Sequence, residues 1–476
     1  MKKLIYFTLP SILSRLISFF VFPIITFYIS PEDYGILSIS IVICTIITTL
    51  VTLSVNNYIF KSLKEQSSSN GTDDLKESYS ITFCISSIIF GALIINGFLF
   101  ENSKLVLLTS FLLIVYFVDF FFCSFYRDFY RATNNARDYA VADLIKVILY
   151  PSFTIMALVQ LGWGVYSVVL GNVAALVMTI IYNTRKSGVF FHKVSFSKKL
   201  KTNLLSVYKY TVPFAIFAIL QLVLTGGDRV IISYLLSSHE AGIYATAVTI
   251  ASILGLVANA VNNQMIGVFM NTTDPEKVQS AIELYSKFIF FVCFSIYLMS
   301  KPFIELFLHD SYVDSIPYVP FLLAGQLLYS LHLVSVNVMG IIALKSKLIP
   351  VSTLIATIFS VSMNFILIPK FGLYIATIVS LASFVVLLVI SYSLSRRYFR
   401  YRLFSKRLLY YCVIMLIFIT ISELTVSLSD SSIVLFIINI AIILIALIVF
   451  ILLEKKEVVK YFYKRKVKVE AAKLTS

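Results

Sequence analysis

The chain has 476 residues, of which 59% are hydrophobic and 13% charged, with a mean hydropathy of +0.92 and a formal net charge of +15. Soluble domains carry about 25% charged residues, so this composition excludes a soluble globular protein. The apolar runs are long and lack two-residue alternation, which excludes a membrane β-barrel and leaves an all-α polytopic membrane protein.

A spanning helix needs roughly 20 mostly apolar residues. Fourteen such stretches are predicted, at 4–29, 36–60, 79–100, 105–126, 140–161, 164–183, 208–236, 243–268, 281–300, 318–343, 348–369, 372–394, 408–428 and 433–453. The first follows Met1-Lys2-Lys3, contains Pro10 and Arg15 and lacks a small-residue cleavage site. It therefore reads as a spanning helix with its N-terminus inside, not as a cleaved signal. With that start, 32 of the 39 Lys and Arg residues fall in inward segments, and only Lys104, Lys301 and Lys370 fall in outward ones. Such an excess orients the chain with both termini cytoplasmic. The basic loops and tail then serve topology and anionic-lipid contact, and no nucleic-acid partner is expected.

The pattern runs twice. Thr8-Leu9-Pro10 recurs as Thr211-Val212-Pro213, Gly35-Ile36 as Gly242-Ile243, Val55-Asn56-Asn57 as Val261-Asn262-Asn263, and Trp163-Gly164-Val165-Tyr166 as Phe371-Gly372-Leu373-Tyr374. The offsets lie between 203 and 208 residues. Each repeat holds six helices, an even number, so both copies enter from the same side and a pseudo-twofold along the membrane normal should relate them. The expected division is a six-helix bundle over 1–183, a basic connector over 184–207 and a second bundle over 208–394. An extra helix pair over 395–453 and a basic tail over 454–476 follow. Two like halves suit a transporter, because a site between them opens to either side as they rock.

No phosphate-binding glycine loop, zinc spacing or metal cluster stands in the chain, and direct ATP use is not expected. Energy should come from an ion gradient (H+ or Na+), the cargo's own gradient or a coupled pathway. The five cysteines all fall in predicted spans and read as small apolar packing residues. The largest outward loop, 301–317, carries Glu305, Asp310 and Asp314. It is a poor home for a glycosyltransferase site. The Phe and Tyr residues are expected mainly at the lipid face and in interfacial belts.

Charged groups inside spans cost at least about 2.5–3.5 kcal/mol each and so face a cavity or a partner. Arg15 lies roughly 16 Å into the first helix at 1.5 Å per residue, near mid-bilayer. A functional cavity is the preferred reading for it over a structural ion pair. Asp228 and Arg229 are adjacent on helix 7, point about 100° apart and need not pair with each other. Gly226-Gly227 before them either loosens the helix or admits a close neighbour. Asp143 and Lys146, three apart on helix 5, share a face and read as a mutually neutralised pair. Asp119 on helix 4 either joins them or carries a coupling ion, a role also open to Asp143. Glu283 and Lys287 read as a boundary pair. Asn56-Asn57 and Asn262-Asn263 either tie helices together or bond sugar hydroxyls, their repetition favouring structure.

Ser30-Pro31-Glu32-Asp33-Tyr34-Gly35-Ile36 after an Arg- and Pro-containing first helix resembles the first hairpin of bacterial polysaccharide exporters. Gly227-Asp228-Arg229-Val230-Ile231-Ile232, followed by His239-Glu240-Ala241-Gly242-Ile243-Tyr244, is similar to that family's helix 7 and next turn. Asn364-Phe365-Ile366-Leu367-Ile368-Pro369-Lys370-Phe371-Gly372 resembles its helix 11 end. The family is the Wzx-like O-antigen and capsule flippases of the multidrug/oligosaccharidyl-lipid/polysaccharide (MOP) superfamily, and the resemblance covers about residues 1–400. It implies a V-shaped, MATE-like transporter, not an enzyme, in the bacterial inner membrane. The implied cargo is a polyprenyl-diphosphate-linked oligosaccharide, with a polysaccharide polymerase and chain-length machinery as implied partners. Arg15, Arg229 and then Lys146 would bind the diphosphate or acidic sugars, with Asp228 and the four asparagines as polar neighbours. Many members stop at twelve helices, whereas the lipid II flippase branch has fourteen. An ion-coupled multidrug exporter of the same superfamily is the first alternative, and a membrane polymerase or glycosyltransferase the second.

Overall fold

The computed structural model describes residues 10, 13, 17, 19–64, 71–100, 103–187, 200–272, 274–426 and 431–474, and all regular structure among them is helical. Twelve helices among the described residues are long and apolar enough to cross a membrane. One of these, Ser346–Arg396, has 51 residues and holds two crossings, and the shorter apolar helix Phe19–Tyr28 belongs to the first predicted span. The fold is the expected all-α membrane architecture of about fourteen helices.

In chain order these are α1 (Phe19–Tyr28), α2 (Pro31–Thr52), α3 (Gly71–Phe100), α4 (Lys104–Ala132), α5 (Ala136–Val159), α6 (Ser167–Ser187) and α7 (Leu200–Leu235). Then come α8 (Ser238–Asn271), α9 (Pro275–Phe307), α10 (Val319–Asn337), α11 and α12 within Ile349–Arg396, α13 (Lys406–Val426) and α14 (Ser432–Leu474). The starts of α2 and α8 are built alike. Ser30 Oγ accepts from the Asp33 amide at 3.3 Å with Pro31 in the first turn, and Ser237 Oγ accepts from the Glu240 amide at 3.1 Å. Both caps satisfy amides that a helix start leaves without partners, and the acidic first turns complement the helix dipole.

Several helices outrun their hydropathy. The connector expected over 184–207 is helical from Leu200, α9 continues to Phe307 past the expected end at 300, and α14 runs on into the basic tail to Leu474. The outward loop expected at 301–317 is thus the end of α9 followed by the 3-10 segment Asp310–Tyr318. Hydropathy marks where lipid ends, whereas a helix closes its own backbone hydrogen bonds and continues in water until a cap or glycine stops it.

Aromatic side chains do more in the core than the lipid-facing reading expects. Tyr126, Tyr244, Tyr312, Phe90, Phe121 and Phe125 are among the largest fully buried side chains. One cluster joins Tyr58, Tyr79, Phe121, Phe125, Tyr126 and Tyr130 to Val207 at the start of α7. There the hydroxyls of Thr82 on α3 and Tyr208 on α7 lie 3.0 Å apart. Farther along, Leu224, Ile231 and Ile232 of α7 pack among second-repeat residues. Helix α7 therefore begins against the first repeat and ends between the two, since the same core holds Phe22 and Ile39.

The repeated Trp/Phe-Gly motif has a backbone cause. Gly164 (φ 52°) and Gly372 (φ 70°) both adopt positive φ, and Gly372 is the bend between α11 and α12. At Gly372 no atom lies within 4 Å of where a Cβ would sit. Gly372→Ala is therefore expected to lose about 1–3 kcal/mol through backbone strain alone, read as a lower thermal midpoint of the detergent-purified protein.

The last two helices dock on α9. Phe291, Phe294 and Leu298 pack with Tyr411, Met415, Ile442 and Phe450. The Asn439 amide donates to the Leu298 carbonyl at 2.7 Å, and Ser422 donates to Asn439 at 2.7 Å. Lys287, read from the sequence as a boundary residue paired with Glu283, is instead 1% exposed with its ammonium 5.4 Å from the Tyr411 ring centroid. Tyr411 belongs to α13, so the docked helix supplies one face of its surroundings.

Candidate functional site

The two repeats meet at the repeated glycines. A Cβ on Gly35 would lie 1.9 Å from the Ser238 carbonyl oxygen, and a Cβ on Gly242 would lie 1.8 Å from the Pro31 carbonyl oxygen. Only glycine lets α2 and α8 touch backbone to backbone, the small-residue contact that membrane helices use for close approach. Nearby, the Tyr34 and Thr249 hydroxyls are 2.9 Å apart, and Tyr312 donates to the Ile29 carbonyl at 2.6 Å. Helix α7 closes in beside them, because a Cβ on Gly226 would meet Val42 of α2 at 3.1 Å. Of the two readings of Gly226-Gly227, close approach is the one the continuous helix supports.

Asp228 and Arg229 sit at this contact and face different ways. Asp228 is 6% exposed and accepts from the Tyr244 hydroxyl and from Ser380 Oγ (3.1 Å), within the second repeat. Arg229 points to the first repeat, where its Nη1 donates to Ser38 Oγ of α2 at 2.9 Å. Its Nε is buried without a hydrogen-bond partner, and no carboxylate among the described residues lies within ion-pair distance of the guanidinium. A half-buried cation with unused donors thus stands where the halves join.

A second feature lies inside the first repeat. A cavity of about 240 Å³ is bordered by Ile17 and Val21, by Asp119 on α4, by Lys146 and Tyr150 on α5 and by Asn172 on α6. Lys146 donates to Asp119, which also accepts from Ser124 at 2.8 Å. The Asp143–Lys146 pair read from the spacing is corrected here. Lys146 reaches across to α4, and Asp143 has Arg127 as its nearer cation at 4.0 Å. Same-face spacing sets which residues are available, but the neighbouring helix decides which are met. Lys146→Met alone is expected to cost about 1 kcal/mol, because Asp119 loses its cation but keeps Ser124 and its access to the cavity. Adding Asp119→Leu should recover most of that loss, measured as coupling in a double-mutant thermal series.

The asparagine pairs divide within themselves. Asn56 donates to Asp128 of α4 at 2.6 Å, and Asn262 accepts from Asn337 of α10 at 2.6 Å. Asn56 lies in the turn Val55–Asn57 just past α2 and Asn262 lies within α8, so each bond ties the end of a repeat's second helix, or the turn after it, to the fourth. Asn262, 7% exposed, is spent on that tie, while Asn57 is half-buried and Asn263 exposed. Arg15 lies outside the described residues. Sequence reasoning missed Ser38, Tyr244, Ser380, Asp128 and Asn337, which are ordinary polar residues until the fold gives them partners. It also missed Asn364, fully buried with both amide atoms unpaired.

The polysaccharide biosynthesis protein family matches residues 1–266. The fold is similar to that of the lipid II flippase MurJ in its inward closed conformation, with TM-score 0.73 and 16% identity over 95% of this chain and 100% of that one. It is also similar to a multidrug resistance MATE family transporter of the MOP superfamily. The inward-facing form gives TM-score 0.57 and 14% identity over 83% of this chain and 97% of that one. The outward-facing form gives 0.55 and 15% over 83% and 95%. No curated protein matches the chain in sequence. With more than half of its length matched, the chain belongs to the polysaccharide biosynthesis protein family, on the fold that MurJ shares with the MATE transporters.

Proposed function

We propose that the chain is a flippase. Its cargo is a polyprenyl-diphosphate-linked oligosaccharide, carried from the cytoplasmic to the outer leaflet of the bacterial inner membrane for O-antigen or capsular polysaccharide assembly. The observation that carries the reading is Arg229, a cation with unspent donors at the seam between the repeats. Guanidinium groups suit phosphate oxygens because their planar donors bond two oxygens at once. A drug-cation exporter would favour an unpaired carboxylate at the same seam, yet Asp228 is fully engaged with Tyr244 and Ser380.

On this reading the glycine contact is the closed outer gate. Cargo loads from the basic, cytoplasmic side, its diphosphate passes Arg15 and Arg229, and its lipid tail stays in the bilayer. The halves then rock and part at Gly35 and Gly242. Lys146 and Asp119 form a coupling pair. Protonation of Asp119, or a sodium ion bound there, frees Lys146 for the cargo's anionic groups, so an H+ or Na+ gradient supplies the energy. Asp143 beside Arg127 is the second acid available to that ion. A polysaccharide polymerase and its chain-length machinery would consume the product outside.

The test is lipid extraction from a strain lacking the protein, with the leaflet of the accumulated oligosaccharide determined. Build-up of complete units facing the cytoplasm, relieved by the wild-type chain but not by Arg15→Ala, supports the reading. No build-up with an unchanged surface glycan overturns it and favours drug export.

A further inference from the structure

Between α12 and α13 the chain turns through a short loop that the fold holds rigidly. Tyr401 is 3% exposed, and its hydroxyl lies 2.6 Å from Ser395 Oγ and 2.9 Å from Ser335 Oγ. Leu403 is buried in the second-repeat core. Gln279 of α9 clamps the backbone of Arg402, accepting from its amide at 2.9 Å and donating to its carbonyl at 3.0 Å. Tyr392 donates to the Tyr401 carbonyl at 3.2 Å.

This turn presents three cations. Arg396, Arg397 and Arg400 are all exposed and, with Tyr392 and Ser393, surround a recess of about 360 Å³. The Arg396 guanidinium lies 5.5 Å from the Tyr392 ring centroid, which orients it. Among the described residues no carboxylate is within ion-pair distance of any of the three. The recess stands at the end of a spanning helix, and the chain that leads from it into α13 carries Tyr398, Phe404 and Leu409, which are 49%, 58% and 68% exposed. A phosphate above and acyl chains alongside would satisfy both halves of this surface at once.

We propose that the Arg396–Arg397–Arg400 recess is a binding site for the headgroup of an anionic phospholipid in the leaflet on that face. The phosphodiester sits among the three guanidiniums, and its acyl chains lie along the first turns of α13. Basic clusters next to a spanning helix draw anionic lipids, each cation adding to the attraction, and planar guanidinium donors add directed bonds to phosphate oxygens. The site holds α12 and α13 at a fixed depth, so it acts on the protein's seating in the membrane and does not depend on what is carried.

The experiment is native mass spectrometry of the full-length, detergent-purified protein titrated with phosphatidylglycerol or phosphatidylcholine. Wild type should retain phosphatidylglycerol preferentially. Arg396→Gln/Arg397→Gln/Arg400→Gln should lose that retention on the order of fivefold or more, with phosphatidylcholine unchanged. Arg185→Gln/Lys186→Gln, at the exposed end of α6, should bind like wild type. Equal retention by the triple variant overturns the proposal. So does an equal loss in the α6 variant, which would make net charge the cause. Displacement by millimolar inorganic pyrophosphate also overturns it, since the recess would then be a general phosphate or cargo site. Should the triple variant not purify, Arg400→Gln alone should lose roughly twofold, and unchanged binding by it is equally decisive against the site.

Discussion

Gly35→Val is expected to abolish transport and destabilise the protein. The new Cβ would start 1.9 Å from the Ser238 carbonyl oxygen and 2.9 Å from the Gly242 amide, and both are backbone atoms that cannot swing aside. Overpacking among side chains costs about 1–3 kcal/mol. A clash with helix backbone belongs at the upper end of that range, or is relieved only by moving α2 away from α8. Either outcome opens the contact that closes this end of the molecule. A cysteine placed at Ser38, 6% exposed in the parent fold, should therefore label readily with an aqueous thiol reagent in the Gly35→Val background and poorly without it. Gly91→Val is the matched control, because no atom lies within 4 Å of its Cβ position. Poor Ser38→Cys labelling with wild-type transport in Gly35→Val would show that the contact stays closed around a valine and that glycine is not required there.

Arg229→Ala should separate function from stability. The guanidinium makes one side-chain bond, to Ser38, and keeps a buried Nε without a partner. The substitution relieves a buried donor that has no partner but leaves Ser38 Oγ without its own, and the two effects oppose each other, so the thermal midpoint should stay near level. Flipping should fall on the order of 10- to 100-fold, the equivalent of one charge-assisted bond set to a phosphate at about 1.4 kcal/mol per decade. Arg229→Lys should recover part of the activity, since the ammonium keeps the charge and loses the planar fork. Wild-type flipping by Arg229→Ala would remove Arg229 from the cargo path. A midpoint lowered by several degrees would make it a structural tie between α2 and α7.

The repeated motifs show how far sequence carries toward mechanism. Their spacing was legible because both copies keep the same local requirement. Gly164 and Gly372 need positive φ, Gly35 and Gly242 need the absence of a Cβ, and Asn56 and Asn262 need an amide that can bridge to the fourth helix of the repeat. The partners of those asparagines were not legible, because one copy uses Asp128 and the other Asn337. Nor did the spacing of Asp143 and Lys146 reveal that the lysine turns to Asp119 on another helix.

Sequence by itself determined the membrane-spanning class, the positions of nearly every crossing, the doubled plan and the short list of deep charges. Those follow from apolar run length and from the cost of charge in hydrocarbon, which are local properties of the chain. The tertiary structure alone decided that the repeated glycines touch each other, that Asp228 is spent while Arg229 is not, that α7 starts against one repeat and ends between the two, and that three arginines gather around an open recess. These depend on which helix faces which, and hydropathy does not encode that, because lipid and a neighbouring helix are almost equally apolar surroundings for the same side chain.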